Sequence, residues 1–145
     1  MIRPTVRSMA THDSSVVLET TTGPDTLDAV QRTLDTVWAE HDIDEMVRIH
    51  VDLAVGEIAA NIVEHSGGGA PVRLRMEVTL DADAVRTTFF DDGHPSPVDL
   101  DEVSMPEELS DRGRGLAIAH RVLDELAYRR DSEGNHWTLV RSRTP

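Results

Sequence analysis

Two arms of alternating residues, Val72 to Leu80 and Val85 to Phe90, are joined by a turn at Asp81-Ala82-Asp83. Successive side chains of a strand point to opposite faces, so this alternation marks two strands that each bury one face. A link this short can only return the chain beside itself, and the arms must pair antiparallel as a hairpin. A parallel sheet needs a dozen or more residues between its strands, usually a helix. The hairpin therefore directs the chain away from a Rossmann fold and towards a sheet with its helices gathered on one side.

The flanking segments supply those helices. Val16 to Thr21 is rich in β-formers and reads as a first strand, punctuated by Gly23-Pro24-Asp25, where Asp25 is a candidate cap. Leu27, Val30, Leu34, Val37 and Trp38 then recur at helical spacing and end near His41. Asp44 is a second cap candidate, opening a long helix from Glu45 to His65. Ser66-Gly67-Gly68-Gly69-Ala70-Pro71 stops it with C-cap chemistry. After the hairpin, Gly115 to Tyr128 reads as a helix, Asp131 to Asn135 as a turn and His136 to Arg141 as a last strand. The order β-α-α-β-β-loop-α-β predicts an α/β two-layer sandwich. Its sheet is mixed and mostly antiparallel, with helices on one face. Met1 to Ser14 reads as a flexible tail, and residues 15–145 as a single domain.

The 145 residues suffice for one core. No apolar run approaches the roughly 20 residues that span a bilayer, and the N-terminus has no apolar signal region. The absence of cysteine excludes a disulfide framework and a thiol nucleophile, and cytoplasm is the expected compartment. A formal charge of −13 with no lysine argues against direct nucleic-acid binding, which needs clustered basic residues. An anionic ligand would need local compensation from arginines, backbone N–H groups or a cation.

Three patches carry chemistry. Glu57, Asn61 and His65 are spaced four apart in the long helical pattern and are predicted to share one face. A carboxylate one turn from an amide suits metal-dependent phosphoryl transfer. Glu57 can take a proton, and the Asn61 oxygen can help hold Mg²⁺. Phe89-Phe90-Asp91-Asp92-Gly93 ends a strand, where Asp91 or Asp92 can accept from the amine of adenine beside a permissive glycine. Arg112-Gly113-Arg114-Gly115-Leu116 is a loop opening a helix. There backbone N–H groups and the helix dipole favour phosphate. Each patch alone also reads as ordinary structure: a solvated helix face, an Asp-Gly turn, a glycine-containing first turn. His94 to Arg112 forms a long connector with three prolines and six acidic side chains, a length typical of functional loops. Seven histidines form no metal-binding spacing, and no P-loop or nucleophile-elbow motif is present.

In order and spacing, Glu57-x-x-x-Asn61-x-x-x-His65, Asp91-x-Gly93 and Gly113-x-Gly115-Leu116 resemble the GHKL ATPase superfamily, which includes gyrase and histidine kinases. The nearest subtype in pattern is the RsbW-like anti-sigma-factor serine/threonine kinases, whose C-terminal run Gly134-Asn135-His136-Trp137-Thr138-Leu139 also resembles. The resemblance covers roughly Val16 to Arg143. It implies a Bergerat-type ATP-binding fold with ATP and Mg²⁺. Glu57 becomes the general base and Asn61 the Mg²⁺ ligand, with His65 on the same motif. Asp91 and Gly93 lie at adenine, supported by Thr138. Arg112, Gly113, Arg114, Gly115 and Leu116 surround the phosphates, and a lid spans about residues 94–112. It further implies a sigma factor and a STAS-type antagonist as partners, and a possible homodimer. One departure stands out: relatives often carry a second glycine after Asp-x-Gly, where this chain has His94-Pro95-Ser96-Pro97.

Overall fold

The computed structural model describes residues 5–8, 14–95 and 111–144. Five strands of six to eight residues and a shorter edge strand form one sheet. They are β1 (Thr5–Ser8), β2 (Ser14–Thr21), β3 (Arg73–Leu80), β4 (Ala84–Asp91), β5 (Glu125–Arg130) and β6 (Asn135–Ser142). The strand order is β1-β2-β3-β4-β6-β5, and every pairing among the described residues is antiparallel. The helices are α1 (Thr26–Glu40), α2 (Glu45–Asn61) and α3 (Asp111–Val122). The predicted two-layer sandwich is present, with the hairpin β3–β4 in register from Leu80↔Val85 to Leu74↔Asp91.

The hairpin alternation divides the sheet into two faces. Leu74, Met76, Val78 and Leu80 of β3 are buried together with Val85 and Phe89 of β4 and Trp137 and Leu139 of β6. Against them pack Leu34 and Val37 of α1, Val47, Val51, Ala54 and Ile58 of α2, and Leu116 and Ala119 of α3. Burying the Val, Leu, Ile, Met and Phe side chains among them contributes about 1.5–3 kcal/mol each. Asp44 caps α2 as expected, its Oδ2 accepting from the Met46 N–H at 3.0 Å. Asp25 makes no side-chain cap. The turn before α1 is closed instead by Gly23 N–H donating to Thr26 Oγ1 at 2.8 Å. No described helix is long and apolar enough to cross a membrane.

Four expectations change. The predicted N-terminal tail contains β1, which pairs from Thr5↔Val17 to Ser8↔Ser14. An edge strand of four residues draws on backbone hydrogen bonds, which leave little periodicity in the sequence. The long helix stops being α-helical at Asn61, and Ile62–Ser66 forms a π-helical turn. The third helix starts at Asp111 rather than Gly115, so the Arg-Gly-Arg-Gly segment is its first turn and not a preceding loop. It also ends at Val122, and Glu125–Arg130 is a strand. Over so short a stretch Leu123 and Leu126 fit a helical spacing as well as Leu126 and Tyr128 fit alternation. The choice falls to β6: Asp124 N–H bonds to Val140 O at 2.8 Å, and the turn at Asp131 returns the chain.

Candidate functional site

The site lies where α2, the start of α3 and the exit of β4 converge. Glu57 and Asn61 occupy the last two turns of α2, one turn apart on one face. Gly115 of α3 sits directly against Glu57: a Cβ built there would lie 2.1 Å from Glu57 Oε2. Only a glycine lets α3 approach the carboxylate this closely. Leu116 beside it is buried and anchors α3 in the core. The first turn, with Arg112, Gly113 and Arg114, is helical, but the placement of these side chains lies outside the described residues, as do residues 96–110 of the predicted lid.

Asn61 is 6% exposed, and its Nδ2 has no hydrogen-bond partner. A buried unpartnered amide costs free energy, so such groups mark places where something else is bound or strain is kept. The π turn starts at the next residue. Such turns widen the helix by one residue and recur at functional sites. The wider turn also takes His65 out of the α-helical register of Glu57 and Asn61. Its Nε2 lies 3.4 Å from Glu64 Oε2 and makes no hydrogen bond.

At the exit of β4 the two aspartates separate. Asp92 is exposed, and its Oδ1 accepts from Arg73 N–H at 2.8 Å, tying off the edge of β3. Asp91 is fully buried. Its Oδ1 accepts from Gly93 N–H at 3.0 Å and from Asn135 Nδ2 at 2.8 Å, while Oδ2 has no partner. Gly93 is needed for a reason internal to the fold. A Cβ there would lie 2.3 Å from the carbonyl oxygen of Ser66, at the end of the π turn. The next N–H, of His94, donates to that same carbonyl. The π turn and the strand exit are therefore stitched together.

Thr138 does not join this group. Cross-strand partners share a face, and Asp91 is paired with Asn135, three residues before Thr138. Thr138 pairs with Thr88 on the outer face, away from the helices, in a shallow cavity of about 430 Å³ that also involves Arg75, Phe90 and His136. The residue that supports Asp91 is Asn135. The sequence hid it inside what reads as a turn, and the signal that could have found it is Gly134 before it. A Cβ at Gly134 would lie 2.1 Å from Asp91 O, so β6 must enter against the end of β4.

Residues 20–141 of the chain match the family model described as histidine kinase-like ATPase domain. The chain belongs to the histidine kinase-like ATPase domain family. It is a GHKL-type ATP-binding domain. Its fold is similar to that of the histidine kinase domain of a blue-light activated histidine kinase from Erythrobacter litoralis EL346, with a TM-score of 0.51 at 19% identity. That alignment covers 79% of this chain and 59% of the other, so this chain spans about three-fifths of the length of the kinase domain it matches. A comparison with curated protein sequences returns no match.

The residues of this ATPase domain fit Mg²⁺ only in company with a nucleotide. Among the described residues no three His, Cys, Asp or Glu side chains form a metal cluster. Mg²⁺ commonly binds through one or two protein groups plus phosphates and water, which the single amide of Asn61 can satisfy. The unpartnered atom of Asn61, Nδ2, is a hydrogen-bond donor and no metal ligand, so the fit rests on the chemistry of the amide oxygen, a hard donor of the kind Mg²⁺ takes.

Proposed function

We propose that this domain is an ATP-dependent protein serine/threonine kinase that acts as an anti-sigma factor in a partner-switching circuit and phosphorylates a STAS-type antagonist. Family membership supports ATP as the donor. The observation that carries the transfer step is the packing of Glu57 against Gly115 at the start of α3, one turn from Asn61. This puts a carboxylate beside a helix N-terminal turn, where backbone N–H groups and the helix dipole attract phosphate oxygens.

In the proposed reaction Glu57 accepts the proton of the acceptor hydroxyl as its oxygen bonds to the γ-phosphorus. The bond from that phosphorus to the β-phosphate oxygen breaks, and ADP leaves. Asn61 presents its amide oxygen to the cation, and Gly115 leaves room for the carboxylate to face the phosphate. Bound Mg²⁺ would neutralise charge on the triphosphate. General-base contributions of this kind are on the order of 10²–10⁴ in rate. Asp91 accepts from the amine of the base, and its burial keeps water from competing for the same atom.

The sigma factor and the STAS-type partner follow from the resemblance of the motifs. The test is phosphate transfer from γ-labelled ATP to a STAS-domain protein, with release of a sigma factor as the second readout. Binding of Mg-ATP and of a sigma factor without transfer would instead make the domain a sequestering module.

A further inference from the structure

The helix-facing side of β6 runs Asn135, Trp137, Leu139, Arg141, and all four residues are buried. The last is a guanidinium in a row of core positions, 8% exposed. Buried charges are normally paired with an opposite charge. Arg141 has no such pair at hydrogen-bond distance. Its nearest carboxylate among the described residues, Asp124 Oδ2, lies 3.9 Å from Nη1, and that oxygen already accepts from Ser142 N–H at 2.6 Å.

Neutral groups hold the guanidinium instead. Nη1 donates to Ser142 O at 2.7 Å and to Thr144 O at 3.1 Å, and Nε donates to His50 Nδ1 at 3.2 Å. An arginine N–H can only donate, so His50 Nδ1 is the acceptor and the ring hydrogen sits on Nε2. Arg141 Nη2 and His50 Nε2–H are left over. Neither makes a hydrogen bond to a described residue, and neither is sealed from solvent.

His50 and Arg141 line a cavity of about 560 Å³ together with Arg121 of α3, whose exposed side chain makes no ion pair with a described residue. Val122 and Leu123 give the cavity an apolar wall. It is separate from the nucleotide site. Glu57 packs on Gly115, whereas His50 and Val122 meet here, about two turns or roughly 10 Å further along each helix. Arg121 and Arg141 bring two positive charges, Asp124 one negative, and His50 a donor without charge. One positive charge remains, in a chain of formal charge −13. A carboxylate neutralises it. A phosphate dianion would overshoot, beside Asp124 and the carbonyl end of α3, where the helix dipole is negative.

We propose that this cavity is a carboxylate-binding site, in which Arg141 Nη2, Arg121 and His50 Nε2–H take a monoanionic carboxylate whose short apolar body lies on Val122 and Leu123. A free short-chain acid and a glutamate side chain of a partner offer this same group. The site does not depend on the nucleotide-binding reading.

The test is a titration of the full chain at low salt, followed by NMR of arginine Nε–H and backbone amides. The probes are butyrate, a capped tripeptide with a central glutamate, butyramide and inorganic phosphate. Saturable shifts at Arg121, Leu123 and Arg141 are expected with at least one of the two carboxylates, and none with butyramide. Shifts with butyrate alone support the site with a free acid as its ligand; shifts with the peptide alone support it with a partner's side chain. Arg121→Glu places a carboxylate at the cavity and is expected to weaken binding at least about threefold. Arg86→Glu makes the same change of net charge on the opposite face of the sheet, and its affinity is expected to stay within about twofold of wild type. Arg86 and Arg121 are both exposed, so both variants are expected to fold. No shift with either carboxylate overturns the assignment, as does phosphate binding as tightly as butyrate. Equal affinities of Arg121→Glu and Arg86→Glu overturn it too. So does loss of the shifts on adding Mg-ATP, which would place the carboxylate in the nucleotide site.

Discussion

Gly115 faces Glu57 so closely that a methyl group added at Gly115 would lie 2.1 Å from the carboxylate oxygen Oε2. The neighbour is the tip of a flexible side chain and not backbone. Gly115→Ala can therefore be accommodated by moving Glu57, while the alanine gains about 0.5–1 kcal/mol of helix propensity. The expected outcome is a stability within about 1 kcal/mol of wild type and a phosphotransfer rate lower by on the order of 10²-fold. Urea denaturation and single-turnover transfer measure the two separately.

Gly93→Ala behaves in the opposite way. Its added methyl meets the carbonyl oxygen, carbonyl carbon and Cβ of Ser66 at 2.3–2.7 Å, so the strand exit or the π turn must shift. Overpacking against backbone costs about 1–3 kcal/mol. A loss in that range by urea denaturation, together with weaker ATP binding, is expected; a stability equal to wild type would show that Gly93 is not held against Ser66.

Asn61→Leu separates binding from stability. The replacement keeps the branching and the number of side-chain heavy atoms and removes a buried amide nitrogen that has no partner. Stability is expected to stay the same or rise by about 1–2 kcal/mol, since an unsatisfied buried polar group is removed. The gain in ATP affinity on adding Mg²⁺ is expected to vanish. Thermal melts with and without Mg-ATP check both halves, and an unchanged Mg²⁺-dependent shift would move the cation away from Asn61.

The β5–β6 turn makes acid stability depend on Asp131. The Glu133 N–H holds its carboxyl well below the ordinary value of 3.8, with further lowering from His136, Arg129 and the Gly134 N–H and an opposing contribution from desolvation. A depressed folded value means that the stabilisation is fully present above the unfolded value. It is lost as pH falls from about 3.8 towards the lower folded one. Asp131→Ala should therefore be less stable than wild type by a constant amount above about pH 5, with the gap closing below pH 3.8. Denaturation midpoints across that range check the sign, and a gap that widens in acid would contradict it.

The fold was legible wherever one face of an element is buried along its whole length. The β3–β4 hairpin, α1 and the body of α2 announce themselves in this way. Elements fixed by partners distant in sequence did not. The strand β5 was hidden because Leu123, Leu126 and Tyr128 satisfy both periods until β6 is beside them. β1 rests on backbone pairing, and the π turn leaves no periodic mark over five residues. In the site, Glu57, Asn61, Asp91, Gly93 and Gly115 were readable as ordered motifs, and the structure brings Glu57 to Gly115 and Asp91 to Gly93. The support of Asp91 was misplaced to Thr138, because only the β4–β6 register reveals that Asn135 shares its face.

The most direct test of the account compares wild type with Glu57→Gln in two measurements: Mg-ATP affinity, and transfer of labelled γ-phosphate to serine or threonine of a STAS-domain protein. The predicted result is equal affinity within about twofold, with transfer by Glu57→Gln slower by on the order of 10²-fold or more. Equal transfer rates for the two proteins, or tight Mg-ATP binding by both with no transfer by either, would contradict it.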